Sequence, residues 1–319
     1  MGKKNTKNLL DDLNQWFDTY IFEKENLNLS INTIEQYKRV FDHFYDFCSY
    51  KEEDSDELKI GDIDKKFIWD YFIWKEKKFK KKISPSTKNL HISVLKSFFK
   101  YISKNDEKNK KYAKVARKLE DITIKVPIRK PKEIDEDELW KILLYVKELP
   151  YTDVNGKKSE IINHRNSLIL KILIFTGIRT SELLNLKLSD FISEDEENYS
   201  FNVIGKGDKE RTSYLKKDTI DKELNFLLSK NLTFVAETKN GNVLDRKNLW
   251  DTIKKIYINS GVNKSGIHIL RHTFAKSLVS KNVNLKTIQE LLGHSDIQTT
   301  MIYAKTNEKN KLSALKELY

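Results

Sequence analysis

Apolar residues recur through the first hundred positions at intervals of three and four, the spacing that lines one face of an α-helix. Leu9, Leu10, Leu13, Trp16, Phe17, Tyr20 and Ile21 form the first run. Ile34, Tyr37, Phe41, Phe44 and Cys48 form the second, behind the capping stretch Ser30-Ile31-Asn32-Thr33. Ile63, Phe67, Tyr71 and Trp74 predict a third helix. Leu90, Val94, Phe98 and Ile102 predict a fourth, opened by Ser84-Pro85-Ser86-Thr87, where proline suits a first helical turn. The aromatic members of these stripes read as core rather than as platforms for stacked bases. Pro127 and Pro131 then break the pattern, and the basic stretch Lys125 to Lys132 reads as an extended linker. Asp135-Glu136-Asp137-Glu138 restarts helix with a capping-box pattern and acids in the first turn.

Beyond the linker the period changes. Asn166 to Phe175 is almost continuously apolar and ends at Thr176-Gly177, so it predicts a buried helix with Arg179 on the loop past its end. Ser181-Glu182 opens the next helix. Tyr199 to Val203 alternates as a strand does, Gly205-Lys206-Gly207-Asp208 has turn chemistry, and Arg211 to Leu215 returns. Lys206 is thereby placed on a hairpin tip. Helices follow around Thr219–Leu228, Asn248–Tyr257, Ile267–Val279 and Leu285–Leu292. The pattern predicts a mainly α chain in three parts: residues 1–124, a linker over 125–132, and residues 133–319 with a small antiparallel β-sheet. The polar stretch 151–159 is an extra loop to which no role is assigned.

Charge changes this picture at one place. The 319 residues carry a formal charge of +12, and the segment Lys75 to Lys132 holds 20 Lys and Arg against 5 Asp and Glu. The basic character is a patch rather than a diffuse excess, which points to a polyanion surface. Lys80, Lys81, Lys82, Lys88, Lys110, Lys111, Arg129 and Lys130 are the candidates for phosphate contact. The bland alternative is that the runs Lys75–Lys82 and Lys108–Lys118 are only solvated faces. The single cysteine, Cys48, excludes an internal disulfide and any cysteine-based metal cluster, and reads as a buried thiol. No H-E-x-x-H spacing and no carboxylate cluster suggests a metal site. With no apolar stretch of membrane-spanning length and no hydrophobic signal region, the chain is expected to be cytosolic.

The candidate chemistry lies toward the carboxy terminus. His268-Ile269-Leu270-Arg271-His272 starts a helical run, Leu292-Gly293-His294 ends the next at a glycine, and Asp296 can cap a short helix carrying Tyr303. His268 and Arg271, three apart, share a helix face. This set resembles the signature of the tyrosine recombinases, the lambda-integrase family: H-x-L-R-H, then L-G-H, then tyrosine nine residues on. Thr176 to Leu183 is similar to that family's first arginine box, and Gly205 to Arg211 to its lysine hairpin. Each motif alone has a bland reading, since lone arginines are usually surface residues and a late tyrosine is usually packing. Their joint occurrence in family order overturns it.

The resemblance implies a helical, SAM-like core-binding domain followed by an α-rich catalytic domain of the DNA breaking-rejoining fold. It implies Arg179 and Arg271 as the phosphate clamp, Lys206 as general acid, His268 and His294 as assisting groups, and Tyr303 as nucleophile. The chemistry of these residue types agrees. Two guanidinium forks match phosphate oxygens, a mobile lysine suits protonation of a leaving 5′ oxygen, and either histidine can take the phenol proton. Glu182 matches the acid of the arginine box and would support the clamp from behind, while His272 reads as structural.

The implied activity is site-specific strand exchange on double-stranded DNA through a 3′-phosphotyrosine, without ATP, metal or other cofactor. Four protomers on two duplexes are implied, with a DNA translocase or a partner recombinase as accessory candidates. Leu312, Leu315 and Leu318 give the tail an apolar face, and the resemblance implies that it docks onto a neighbouring protomer. The size and two-domain plan fit a Xer-type chromosome-dimer resolvase. A phage, transposon or integron integrase is the alternative, and a catalytically dead DNA-binding protein or a type IB topoisomerase is further away.

Overall fold

The computed structural model describes residues 9–54, 58, 60–105, 110–127, 132–149, 158–205, 209–238, 240–294 and 300–302, with side chains left aside at 54, 110, 111, 158 and 159. The chain divides into two compact units, Met1–Ile128 and Arg129–Tyr319. No described helix is long and apolar enough to cross a membrane.

The first unit holds helices α1 (Leu9–Asn26), α2 (Ile31–Asp54), α3 (Lys65–Lys78), α4 (Pro85–Asn105) and α5 (Lys110–Glu120). Its aromatic stripes meet in the middle, as the spacing predicts. Phe17 stacks on Phe41 with ring centroids 3.7 Å apart, and Phe98 lies edge-on to Phe17 at 5.7 Å and to Phe41 at 5.3 Å. Tyr20, Phe44, Tyr71 and Phe99 are fully buried around them. These rings bury large apolar areas and favour offset and edge contacts, so they are spent on cohesion rather than on a ligand. Cys48 is fully buried, and that burial pushes its thiol pKa up.

Helix α5 is the one the periodicity reading did not predict, because lysines crowd the stretch. Tyr112, Val115 and Leu119 nevertheless recur at three and four, and all three are buried in the same core. Tyr112 also donates to Asp12 Oδ2 of α1 at 2.5 Å, and Lys114 and Arg117 stay exposed. The basic run is thus half core helix and half charged face.

The second unit opens with α6 (Glu136–Glu148), started by the expected capping box. Asp135 Oδ1 accepts from Glu138 N at 2.8 Å, and Glu138 Oε2 from Asp135 N at 3.2 Å. Helix α7 (Lys158–Thr176) runs through the core with Leu168, Ile169, Leu170, Ile172 and Leu173 buried on all sides, which is why its sequence shows no polar face. After α8 (Thr180–Asn185) come β1 (Ile192–Ser193), β2 (Asn198–Ile204) and β3 (Glu210–Lys216). They form a sheet in the order β1-β2-β3, antiparallel throughout, with Phe201 opposite Ser213. The two-residue β1 is too short to leave an alternation in the sequence.

Helices α9 (Lys217–Ser229), α10 (Arg246–Asn259), α11 (His268–Ser280) and α12 (Leu285–Leu292) complete the unit. Gly177 joins α7 to the rest through a left-handed φ of +60°, where a Cβ would stand 2.5 Å from Phe274 Cδ1 of α11. That close approach brings the loop carrying Arg179 against the helix carrying Arg271. Ala275 and Val279 of α11 pack with Ile288 and Leu292 of α12 in a small core of their own.

Candidate active site

Arg179, Glu182, Arg271 and His294 converge in the second unit. Arg179 is the residue before α8, with extended backbone, and Glu182 turns back on it from the first turn of that helix. Glu182 Oε2 accepts from Arg179 N at 2.6 Å, and Oε1 accepts from Arg179 Nη1 at 2.9 Å. Glu182 thus lies against the guanidinium and the backbone of Arg179. Glu182 is also gripped from the other side: Arg211 Nη1 donates to Oε1 at 2.9 Å and Nη2 to Oε2 at 2.7 Å. Burial alone would raise the Glu182 pKa. The hydrogen bonds from Arg211 and from the Arg179 backbone, together with the guanidinium charges, outweigh it and hold the carboxyl at about 2. Glu182 is therefore ionised at neutral pH.

Arg271 is buried in the first turn of α11 and donates Nη1 to the Gly177 carbonyl at 2.7 Å and Nη2 to the Leu292 carbonyl at 2.5 Å. Arg179 Nη2 donates to the Gly293 carbonyl at 2.6 Å. His294 follows the left-handed cap Gly293, and its Nδ1 lies 2.8 Å from Thr300 Oγ1. Desolvation, and then the charges of Arg271, Arg179, His272 and Arg211, lower its pKa to about 4. His268, the first residue of α11, is lowered as well, by desolvation first and then by Arg271, Arg179 and Arg246. Both rings are held toward the neutral form by a cationic surround.

A cleft of about 600 Å³ opens beside this cluster, lined by Arg179, Thr180, Ser181, Lys132, Arg246, Trp250, His268 and His272 among others. Its cations and hydroxyls can pair with a phosphate, and the Trp250 ring lies among them. Lys132, Arg246 and Trp250 were not foreseen. Arg246 is the first residue of α10, directly after the N-cap Asp245, and no spacing in the sequence links it to Arg179. His272, which reads as structural in the sequence, lines the same cleft, and its pKa is lowered by desolvation and by His268 and Arg271.

Lys206 and Tyr303 lie outside the described residues, but the hairpin base does not: Gly205 N donates to the Lys209 carbonyl at 2.8 Å. A Cβ on Gly205 would stand 3.6 Å from Glu182 Oε1, so the hairpin is rooted at the carboxylate. Among the described residues no group of three or more His, Cys, Asp or Glu side chains is gathered for a metal ion.

The basic candidates of the first unit are not equivalent. Lys80, Lys81 and Lys82 are exposed in the turn after α3, Lys80 with a positive φ of 48°. Lys88 instead pairs with Glu76 at 2.9 Å, Lys78 pairs with Asp46 at 2.9 Å, and Lys75 is half-buried beside His91, its pKa lowered to about 8 by burial. Lys110 and Lys111 sit in the first turn of α5, their side chains outside the description, and Arg129 and Lys130 lie outside it altogether.

Residues 132–310 match the model of the phage integrase family, and residues 12–123 match that of the phage integrase SAM-like domain. Tyrosine recombinase XerH of Campylobacter jejuni is 33% identical over 245 residues, 72% of this chain and 64% of the relative, so the match spans a little under two thirds of that protein. Tyrosine recombinase XerD of Listeria innocua is 30% identical over 308 residues, 91% of this chain and 92% of the relative. Among solved structures, XerH site-specific recombinase bound to difH substrate in a pre-cleavage complex is similar with a TM-score of 0.70 at 26% identity, covering 92% of this chain and 81% of that one.

Proposed function

The chain belongs to the phage integrase family, the tyrosine recombinases, and from that premise we propose that it cuts and rejoins double-stranded DNA at a specific site through Tyr303. The observation that carries the reading is the convergence of Arg179 and Arg271 with a His294 held neutral at physiological pH. In this reading the two guanidiniums stabilise the charge that grows on the non-bridging oxygens of a phosphodiester under attack. The Tyr303 oxygen bonds to phosphorus as the bond to the 5′ oxygen breaks. His294 or His268, each neutral and so able to accept, takes the phenol proton, and Lys206 delivers a proton to the departing 5′ oxygen. A 3′-phosphotyrosine and a free 5′ hydroxyl result. Attack by the 5′ hydroxyl of a second strand reverses the step and completes the exchange, with the bond energy conserved.

The assembly in this reading is four copies on two duplexes. The Xer-named relatives favour chromosome-dimer resolution over mobile-element integration as the cellular role. Sequencing of DNA bound by the protein in its own cells supplies the site, and a nicked duplex of that site traps the covalent product. Tyr303→Phe removes only the phenolic oxygen, so covalent product is expected to vanish while duplex binding stays within about threefold of the unaltered chain, a difference well under 1.4 kcal/mol. Covalent product from the phenylalanine variant would assign the nucleophile elsewhere.

A further inference from the structure

Three guanidiniums from three elements hold three successive carbonyls at the end of α12. Arg211 Nε donates to the Leu291 carbonyl at 2.9 Å, Arg271 Nη2 to that of Leu292 at 2.5 Å, and Arg179 Nη2 to that of Gly293 at 2.6 Å. A helix end leaves such carbonyls without intrahelical partners, and its dipole favours cations there. Two of these arginines belong to the proposed phosphate clamp. The remaining two nitrogens of Arg211 both go to Glu182. Each of its three nitrogens is therefore engaged inside the protein. The fit is specific, since a Cβ at Gly293 would stand 3.0 Å from Arg211 Nη1.

Charge gives this arrangement a consequence for the reaction. Glu182 is ionised and lies 2.9 Å from the Arg179 guanidinium. Alone, the carboxylate would be the full counter-ion of Arg179 and would repel an approaching phosphate. Arg211, at 2.7 Å from the same carboxylate, shares it and leaves Arg179 with charge to offer. Arg211 also stands on β3, directly after the hairpin that carries Lys206, while the carbonyl it holds belongs to the helix end that leads toward Tyr303.

We propose that Arg211 is a positioning residue for strand cleavage: it neutralises Glu182 so that Arg179 can serve the phosphate, and it ties the lysine hairpin to the segment delivering the tyrosine. This rests on the phosphotyrosine reading. The test measures single-turnover formation of covalent product on the nicked duplex of the recovered site at saturating protein. The dissociation constant for the same duplex is measured alongside, for Arg211→Gln, Arg211→Lys, Glu182→Gln and the double variant Arg211→Gln/Glu182→Gln. Arg211→Gln is expected to slow cleavage by about 100-fold, the scale of a misplaced reacting group, with binding changed by less than about threefold.

Adding Glu182→Gln should recover about tenfold of that loss, because an amide no longer quenches Arg179. A merely structural anchor predicts the opposite, since the double variant has given up still more hydrogen bonds. Arg211→Lys keeps the charge without the fork and should fall about tenfold; it carries the test if the glutamine variant does not fold. An undiminished rate in Arg211→Gln and Arg211→Lys, or no recovery in the folded double variant, overturns the role of Arg211 alone. No covalent product from the unaltered chain overturns the phosphotyrosine reading and this inference with it.

Discussion

His294 lies where burial first, and then the charges of three guanidiniums, act in one direction, against protonation. Its pKa of about 4 in the folded chain compares with 6.5 for a free imidazole. On acidification the unfolded chain therefore takes up this proton first. The contribution of His294 to stability is complete above about pH 6.5 and is lost as the pH falls toward about 4. Following the His294 ring by NMR should give a midpoint far below that of an exposed histidine, and unfolding free energy should decline over the same window. A midpoint near 6.5 would show that burial and the guanidiniums do not depress this ring, and one well above neutral pH would remove the neutral acceptor from the proposed mechanism. The motif around His294 is legible in the sequence, but its depressed pKa is not, because Arg179, Arg211 and Arg271 reach it from three different elements.

At the scale of elements, α5 shows how charge can mask a core helix. Its lysines give the stretch a polar character, yet Leu119 is 1% exposed and packs into the first unit's core. Leu119→Ala is expected to destabilise the chain by about 2–4 kcal/mol through forfeited transfer energy and the cavity left behind. Neutralising Lys114 and Arg117 on the exposed face should cost less than about 0.5 kcal/mol. Urea unfolding separates the two, and equal midpoints for both variants would return the stretch to a solvated run. The β-hairpin is the contrasting case. Alternation over Tyr199 to Val203 and the turn residues place it directly, because each strand keeps one face in the core.

For the molecule as a whole, the proposed reading has the basic segment hold DNA separately from the residues that cut it. The structure divides that segment into paired and free charge: Lys78 and Lys88 have carboxylate partners, whereas Lys80, Lys81 and Lys82 are exposed. Neutralising Lys80, Lys81, Lys82, Lys110 and Lys111 together is expected to weaken binding and to flatten its salt dependence by about one unit of log-log slope for each phosphate no longer neutralised. Cleavage by bound protein at saturation should change much less, because none of these residues belongs to the Arg179–Arg271 cluster. Arg271→Ala should do the reverse, with a large drop in single-turnover rate and a modest weakening of binding. An unchanged slope in the lysine variant would move the DNA path elsewhere.

Local order along the chain determined the helices with clean three-four periodicity, the capping box at Asp135, the hairpin and the order of the family motifs. Each of these depends on residues close in sequence, whose spacing fixes which face they share. Tertiary structure alone decided which cations meet. Arg211 and Leu291 are 80 positions apart, and Arg179 and Gly293 are 114 apart, so no periodicity links them. The same holds for the cleft, where Lys132, Arg246 and Trp250 join Arg179 and His268. The same convergence set the charges: the hydrogen bonds and charges of Arg211 and Arg179 outweigh burial and keep Glu182 ionised, whereas at His294 burial and the guanidinium charges act together against protonation.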